Sequence, residues 1–219
     1  MRKQAIVVGL GQFGMALAQS LAARGVDVMA IDSKEERVRT AATFTADAIC
    51  FDATDEVALS QTSPQRRDVC VCAIGDEARE SSIIVTALLR QMGARLVVAR
   101  ATDPLHERIL RLVGAHQVVN PERAFSERLS TRLLHTGVID EVSLGDDLLI
   151  TEFEVPASCV GKDLATLALP RKWEITVIAV RRKDSQAVSL PDPKEELETG
   201  DILIVVARAG AVDKFLGRS

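Results

Sequence analysis

A glycine-rich stretch, GLGQFG at residues 9–14, constrains the fold of this chain more than any other feature. It follows a short apolar run at 5–8 and precedes a segment with helical apolar spacing at 15–23. A strand, a G-x-G-x-x-G turn and a helix in this order form the first unit of a dinucleotide-binding Rossmann fold. The three glycines permit, in order, a tight turn, close approach of a pyrophosphate to the backbone, and close packing of the helix on the strand. The sequence therefore predicts a phosphate-binding turn at the start of the chain.

An acidic residue, Asp32, follows the second apolar run at 26–31. Rossmann folds place a carboxylate at this spacing, where it accepts hydrogen bonds from ribose hydroxyls. A carboxylate there repels a 2′-phosphate, so NADP is disfavoured. The alternative is an ordinary glycine turn with a surface aspartate at a strand end. Because the turn and the acid occur in register, we predict an adenine-nucleotide site.

In roughly the first 135 residues, short apolar runs alternate with segments whose apolar residues have helical spacing. The predicted strands are 5–8, 26–31, 48–51, 69–74, 96–99 and 116–119. The predicted helices are 15–23, 35–44, 81–92, 104–113 and 121–134. Repeated βαβ units of this kind imply a parallel sheet with helices on both faces. The predicted fold class is α/β, a Rossmann-like doubly wound parallel sheet.

The pattern changes near residue 138, where strand-like segments dominate. We predict strands at 138–144, 148–155, 175–180 and 202–206, with short helices at 163–168 and 211–216. These elements indicate a small α+β domain. The predicted domains are therefore a Rossmann-type nucleotide-binding domain at 1–137 and a small α+β regulatory domain at 138–219, with the helix at 121–134 as the connector.

Composition excludes several classes of protein. The 27 basic and 31 acidic residues give a net charge of −4, which argues against a general nucleic-acid-binding protein. Cys50, Cys70 and Cys72 lie in apolar runs without metal-ligand spacing, so we expect reduced, buried cysteines in a cytoplasmic protein. No apolar run approaches the roughly 20 residues of a membrane span.

Two further strand ends belong to the predicted site. Asp52–Thr54 follows the third strand, and Ala73–Asp76 follows the fourth. Ligands bind outside the carboxyl ends of strands in open α/β sheets. The first segment is a candidate for the base edge and the second for the adenosine wall, the alternative for each being an ordinary βα turn.

The residues of a dehydrogenase are missing from this sequence. Such an enzyme needs an acid–base group directed at the hydride carbon. His106 and His135 fall on predicted helices, His116 opens a short strand, and the chain has no tyrosine. We therefore expect a binding module rather than an enzyme. A small NAD(H)-dependent oxidoreductase remains the alternative.

The sequence resembles the RCK family, whose domains are also called TrkA-N and TrkA-C, over nearly its whole length. The resemblance is carried by IVVGLGQFGMALAQSLAARGVDVMAID, FDATDE, VCAIGD, VVARATDPLHERILRLVGAHQVVNPE and SLPDPKEELETGDILIVVA. It is strongest to the cytoplasmic regulatory subunits of Ktr/Trk potassium uptake systems. This implies homodimers that assemble into an octameric ring on a membrane-embedded potassium transporter or channel. It also implies that ATP, ADP or NAD(H) binding gates the transporter through the shape of the ring.

The resemblance and the strand-end positions together define the predicted nucleotide site. Its members are Gly9, Gly11, Gln12, Phe13, Gly14, Asp32, Ser33, Asp52, Ala53, Thr54, Ala73, Ile74, Gly75, Arg100 and Glu122. Arg100 occupies a position where the family often has a lysine near the phosphates. Glu122 matches an acid that, in ATP-responsive members, lies near the γ-phosphate and a divalent cation, Mg²⁺ or Ca²⁺.

One position departs from the family pattern. ATP-responsive members often carry an arginine after the second glycine, where it reaches the γ-phosphate in the neighbouring subunit. This chain has the neutral Gln12 there. A neutral side chain cannot offset the charge of a γ-phosphate, so we predict poor discrimination of ATP from ADP unless a divalent cation is present.

A basic run in the second domain, residues 181–183 followed by Leu190-Pro191, resembles the region that some family members use for cyclic di-AMP. A solvated hairpin turn explains the same residues. We favour the solvated turn.

Overall fold

The computed structural model describes residues 2–75, 78–134, 137–145, 147–184 and 187–217. Asp76 and His135 from the sequence analysis lie outside these ranges. The chain divides into two compact units, Met1–Glu122 and Arg123–Ser219. This division falls inside the helix that the sequence predicts as the connector.

The first unit is built on a parallel six-stranded sheet with strand order β3-β2-β1-β4-β5-β6. Its elements are β1 (Gln4–Val8), α1 (Gln12–Ala23), β2 (Asp27–Asp32), α2 (Glu35–Ala41), β3 (Asp47–Cys50), α3 (Glu56–Gln61), β4 (Val69–Cys72), α4 (Arg79–Gln91), β5 (Val97–Arg100), α5 (Pro104–Leu112), β6 (Gln117–Val119) and α6 (Pro121–Leu134). This order is that of the dinucleotide-binding Rossmann fold, so the predicted fold class is confirmed. The chain changes direction across the sheet between β1 and β4, where such folds bind ligands.

Two apolar clusters pack on opposite faces of this sheet. Ile6 and Val8 belong to one cluster, and Ala5 and Val7 to the other. All four side chains are buried, because β1 is central and helices cover both of its faces. This two-sided packing fixes the strand ends that carry the candidate site.

Two sequence predictions for this unit fail locally. The helix α3 is absent from the sequence prediction; it is only six residues long and begins after Asp55, whose carboxylate caps it by accepting bonds from two backbone N–H groups. Cys50 is exposed rather than buried, because β3 is the edge strand. Cys70 and Cys72 are buried as predicted, and burial raises the pKa of the Cys70 thiol to about 12.

The second unit contains a five-stranded sheet of order β10-β9-β11-β8-β7, paired antiparallel throughout. Its elements, besides most of α6, are β7 (Val138–Gly145), β8 (Leu148–Glu154), α7 (Leu164–Leu167), α8 (Leu169–Trp173), β9 (Thr176–Arg181), β10 (Val188–Ser189), β11 (Ile202–Arg208) and α9 (Ala211–Leu216). Phe215 packs against Phe153 and Trp173 in its core. The predicted α+β class of this part is confirmed.

The basic run at 181–183 is part of the fold of this unit. Arg181 forms an ion pair with Glu152 at 2.9 Å, and Arg182 forms ion pairs with Glu195 and with the buried Asp201. Both arginines are largely covered by their neighbours. The expectation of a solvated hairpin turn is therefore wrong for these two side chains, because acidic partners on neighbouring segments hold them against the sheet.

Candidate functional site

A cavity of about 450 Å³ opens at the carboxyl edge of the parallel sheet. The predicted site residues that line it are Gly9, Gly11, Asp32, Ser33, Asp52, Ala53, Thr54, Ala73, Ile74, Gly75 and Arg100. These residues come from the ends of β1, β2, β3, β4 and β5. The parallel sheet thus brings together segments that lie up to about ninety residues apart in sequence. Four predicted members, Gln12, Phe13, Gly14 and Glu122, are not part of its wall.

The three glycines of the turn differ in what the fold requires of them. Gly9 has φ of +90°, and a Cβ on it would lie 2.9 Å from the backbone nitrogen of Ile74. A Cβ on Gly14 would overlap the carbonyl oxygen of Gly9. Gly11, in contrast, has φ of −65°, and a Cβ there would meet nothing within 4 Å. The fold therefore explains two of the glycines, and the third faces the open cavity.

The positive end of α1 points into the same region. Gly11 is the residue that precedes this 12-residue helix, and no side chain caps its first turn. The first turn also contains no acidic residue. Uncapped N–H groups and the helix dipole together favour an anion.

Asp32 ties the glycine-rich turn to the end of β2. Its side chain is 6% exposed, and its Oδ2 accepts a 2.6 Å hydrogen bond from the backbone N–H of Leu10. Its Oδ1 accepts a 2.8 Å bond from the N–H of Lys34, and Arg37 lies 3.4 Å from Oδ2. A carboxylate has about four acceptor positions, so this arrangement leaves capacity for a ribose hydroxyl.

Sequence reasoning missed two cations in the cavity wall, Lys34 and Arg37. With Arg100 they bring three positive side chains to a wall that also contains Asp32 and Asp52. Their position just after Asp32, the acid predicted to bind ribose, was the available signal, but charged residues at the start of an amphipathic helix normally face water. The remaining missed members are Val8, Phe51, Ala78, Ser81 and Val85.

Asp52 stabilises the turn that follows β3. Its Oδ1 accepts bonds from the backbone N–H and the hydroxyl of Thr54, at 3.0 and 2.8 Å. These two bonds lower the pKa of the Asp52 carboxyl. It is therefore ionised at neutral pH and lies beside the buried Ala53 at the rim of the cavity.

Arg100 links the cavity to Phe13 and Glu122. Its side chain is 14% exposed, and its guanidinium carbon lies 5.8 Å from the centre of the Phe13 ring. It forms an ion pair with Glu122 in the first turn of α6. A Cβ on Gly75 would lie 2.8 Å from its Nη1 atom. Phe13 and Glu122 thus contact the arginine rather than the cavity itself.

The described residues contain no group of three or more histidine, cysteine or acidic side chains placed to hold a metal ion. His106 is a buried residue of α5, and His116 Nδ1 accepts a bond from the N–H of Val97. Neither histidine lines the cavity.

Family models match both parts of the chain. The TrkA-N domain model matches residues 5–121, and the TrkA-C domain model matches residues 150–217. The chain belongs to the TrkA-N/TrkA-C family. The resemblance inferred from the sequence is confirmed.

Its relatives include potassium uptake proteins. The chain is 33% identical over 216 residues to Ktr system potassium uptake protein A of Vibrio alginolyticus, covering 99% of this chain and 96% of that protein. It is 30% identical over 215 residues to Ktr system potassium uptake protein C of Bacillus subtilis, covering 98% and 96%. Both relatives match this TrkA-family chain from end to end.

Solved structures share the fold. The GsuK RCK domain aligns with a TM-score of 0.68 at 14% identity, over 99% of this chain and 47% of that one. The GsuK channel bound to NAD aligns with a TM-score of 0.67 at 15% identity, over 99% and 39%. This chain therefore spans less than half of each of those chains. Among its own described helices, none is both long and apolar enough to cross a membrane.

Proposed function

We propose that this protein is a nucleotide-sensing regulatory subunit that gates a membrane-embedded potassium transporter or channel. The observation that carries the proposal is Gly11, a glycine that faces the cavity and that the fold does not require. The end-to-end similarity to Ktr potassium uptake proteins supports the transport role. In this proposal residues 1–137 bind the nucleotide and residues 138–219 form the regulatory domain.

The cavity supports one orientation of an adenine nucleotide. The ribose would hydrogen-bond to Asp32, and its phosphates would face the N-terminus of α1 and Arg100. The adenosine would lie along Ala73–Gly75 and beside Asp52–Thr54, where Ile74 and Phe51 supply apolar surface. Binding at Ser33 would extend the ribose contact beyond the strand end.

We propose that ADP, ATP, NAD and NADH all bind this site. The GsuK channel, which shares the fold, is described as bound to NAD. Arg100 and the N-terminus of α1 offset the charge of a diphosphate, and Lys34 and Arg37 add positive charge to the same cavity wall. Gln12 is exposed at the start of α1 and adds no charge for a third phosphate, so ATP and ADP should bind with similar affinity.

A divalent cation bound with ATP would need Glu122 as its protein ligand. The carboxylate of Glu122 is instead neutralised by Arg100, and no cluster of further ligands accompanies it among the described residues. The side chains as arranged do not fit an Mg²⁺ or Ca²⁺ site.

Control of the transporter requires that nucleotides favour one conformation of the assembled subunits, because only differential affinity shifts an equilibrium. A coupling free energy of roughly 1–3 kcal/mol would suffice. Exposed apolar residues on α6 support assembly, with Phe125 64%, Leu129 37% and Leu133 77% exposed on one helix face. Ile84 and Leu112 are exposed as well, whereas Leu88 packs partly against the core.

We infer homodimers that build an octameric ring on the cytoplasmic face of the membrane. The competing oxidoreductase function would need an acid–base residue at the cavity. The described wall offers no histidine, the commonest such residue, and the chain has no tyrosine, while the Asp32 carboxylate in that wall already accepts bonds from Leu10 and Lys34.

Two measurements test the proposal. Calorimetric titration of the purified protein with ADP, ATP, NAD and NADH should show binding, and Gly11→Ala should abolish it. Rubidium uptake into vesicles that contain the membrane subunit should then differ between nucleotides with the wild type and not with Gly11→Ala. Absence of binding by all four nucleotides would refute the sensing function.

A further inference from the structure

Arg100 has neighbours on three sides. Phe13 lies against its guanidinium, Glu122 pairs with its Nη2, and a Cβ on Gly75 would lie 2.8 Å from its Nη1. Its Nε is buried and has no hydrogen-bond partner among the described residues. Glycine at position 75 therefore leaves room for the arginine, which lines the cavity beside it.

The two members of the Arg100–Glu122 ion pair differ in exposure. Arg100 is 14% exposed and Glu122 is 59% exposed. An acid so accessible to water loses little when it gives up its pair. The arginine, in contrast, is largely removed from water, and a buried guanidinium needs an anionic partner.

We propose that Glu122 and the phosphates of a bound nucleotide compete for Arg100, so that Glu122 weakens nucleotide binding instead of completing a cation site. This inference rests on the proposed function, since it concerns the phosphate end of the same cavity. Phe13 is a positioning residue: it keeps the guanidinium at the cavity in both states. Binding frees Glu122 from Arg100.

For a variant without the charge of Glu122, the competition and a cation site predict opposite changes in nucleotide affinity. Removing the charge of Glu122 relieves the competition and should tighten the binding of phosphate-containing ligands without any divalent cation. Adenosine has no phosphate, so its affinity should not change. The contrast between ADP and adenosine therefore isolates the phosphate end.

The experiment is calorimetric titration of ADP and adenosine in EDTA, and of ATP in Mg²⁺, against the full-length chain and its variants. Glu122→Gln should raise ADP affinity by about two- to five-fold, the range expected for a partly exposed ion pair. Glu127→Gln is the matched control, because Glu127 is an exposed glutamate on the same helix that is also paired with an arginine, Arg123, at 2.9 Å. It should leave ADP affinity unchanged.

Phe13→Leu tests the positioning role. It should lower ADP affinity and leave adenosine affinity intact. Arg100→Lys should have the same two effects, because lysine keeps the charge but cannot form the same planar contacts. Thermal unfolding of each variant verifies that the domain is folded.

Weaker ATP binding by Glu122→Gln in Mg²⁺, or unchanged ADP affinity in EDTA, would overturn the competition. Failure of the wild type to bind both ADP and adenosine would instead overturn the proposed function itself. If adenosine binds normally and Glu122→Gln does not change ADP affinity, only the competition fails and the proposed function stands.

Discussion

The Asp32 carboxylate accepts a 2.6 Å hydrogen bond from the backbone N–H of Leu10, across 22 residues of sequence. This bond joins the middle of the glycine-rich turn to the end of β2. The acid that the sequence assigns to the ribose thus also organises the glycine-rich turn.

Asp32→Ala should therefore lower stability as well as nucleotide affinity. The substitution leaves the N–H groups of Leu10 and Lys34 without their acceptor, and we expect the free energy of unfolding to fall by about 1–3 kcal/mol. Sequence reasoning alone predicts a loss of affinity without loss of stability. Urea denaturation of Asp32→Ala decides between these two expectations. Asp52→Ala, at an exposed position, is the control and should change stability far less. An unaltered denaturation midpoint for Asp32→Ala would disprove the structural role.

Two glycine substitutions should separate folding from binding. Gly14→Ala should destabilise the domain strongly, because its methyl group would overlap the carbonyl oxygen of Gly9. Gly11→Ala should leave the unfolding transition unchanged and abolish ADP binding, because its methyl group enters only the cavity. Thermal denaturation and calorimetry on both variants measure this. Normal ADP affinity in Gly11→Ala would place the phosphates elsewhere.

Gln12→Arg should raise the affinity for ATP more than that for ADP. The added guanidinium would offset the charge of the third phosphate, which the neutral amide cannot do. Gln12 is exposed and lies outside the cavity wall of its own chain, so the effect should require the assembled protein. Titrations of both nucleotides, with and without Mg²⁺, provide the measurement. A wild type that already prefers ATP strongly in a chelator would contradict the argument from Gln12.

The exposed apolar face of α6 should support self-association. Phe125→Lys and Leu133→Lys place charges on that face and should shift the protein towards smaller species in light scattering at micromolar concentration. Glu127→Lys introduces the same side chain on the opposite face of the helix and should leave the mass unchanged. A wild type that is monomeric under these conditions would contradict the assembly.

The second unit should lose stability in acid through Asp201. Burial by itself raises the pKa of this carboxyl, but the hydrogen bonds from the Glu198 N–H, from Arg182 and from the Lys183 N–H, with the charge of Arg182, outweigh it and lower the pKa. A folded-state pKa below the unfolded value of about 3.9 gives stability that is complete above that value and is lost as the pH falls through the folded pKa.

Asp201→Asn should therefore be less stable than the wild type at pH 7, and the difference should shrink below about pH 4. Urea denaturation followed by the fluorescence of Trp173, the only tryptophan of the chain and part of this unit, measures the effect. Asp192→Asn, an exposed acid, is the control. A difference between Asp201→Asn and the wild type that stays constant down to pH 2 would exclude this titration.

The backbone of the site was predictable because it follows from local patterns. The apolar runs at 5–8 and 69–74 and the glycines between strand and helix specify a parallel sheet whose carboxyl edge carries the cavity. The six-residue helix α3 escaped prediction, since one and a half turns show no reliable period.

The side-chain arrangement was less accessible to sequence reasoning. Arg37 reads as an ordinary solvated residue of a charged helix, yet it lies beside Asp32 in the wall. Phe13 and Glu122 were assigned to the nucleotide, but they contact Arg100, which is distant in sequence. Contacts between side chains from separate βα units depend on the packing of the whole sheet, and local periodicity contains no information about them.

The open space beside Gly11 has a genetic consequence. Substitutions that destabilise a protein are usually removed with the misfolded chain by chaperones and proteases. We expect alanine at position 11 to escape this removal, because the fold tolerates it. If the proposed assembly holds, a subunit unable to respond to nucleotide would then accumulate normally and enter the proposed rings together with wild-type copies. Such an allele should behave as dominant, whereas one that alters Gly14 should behave as recessive.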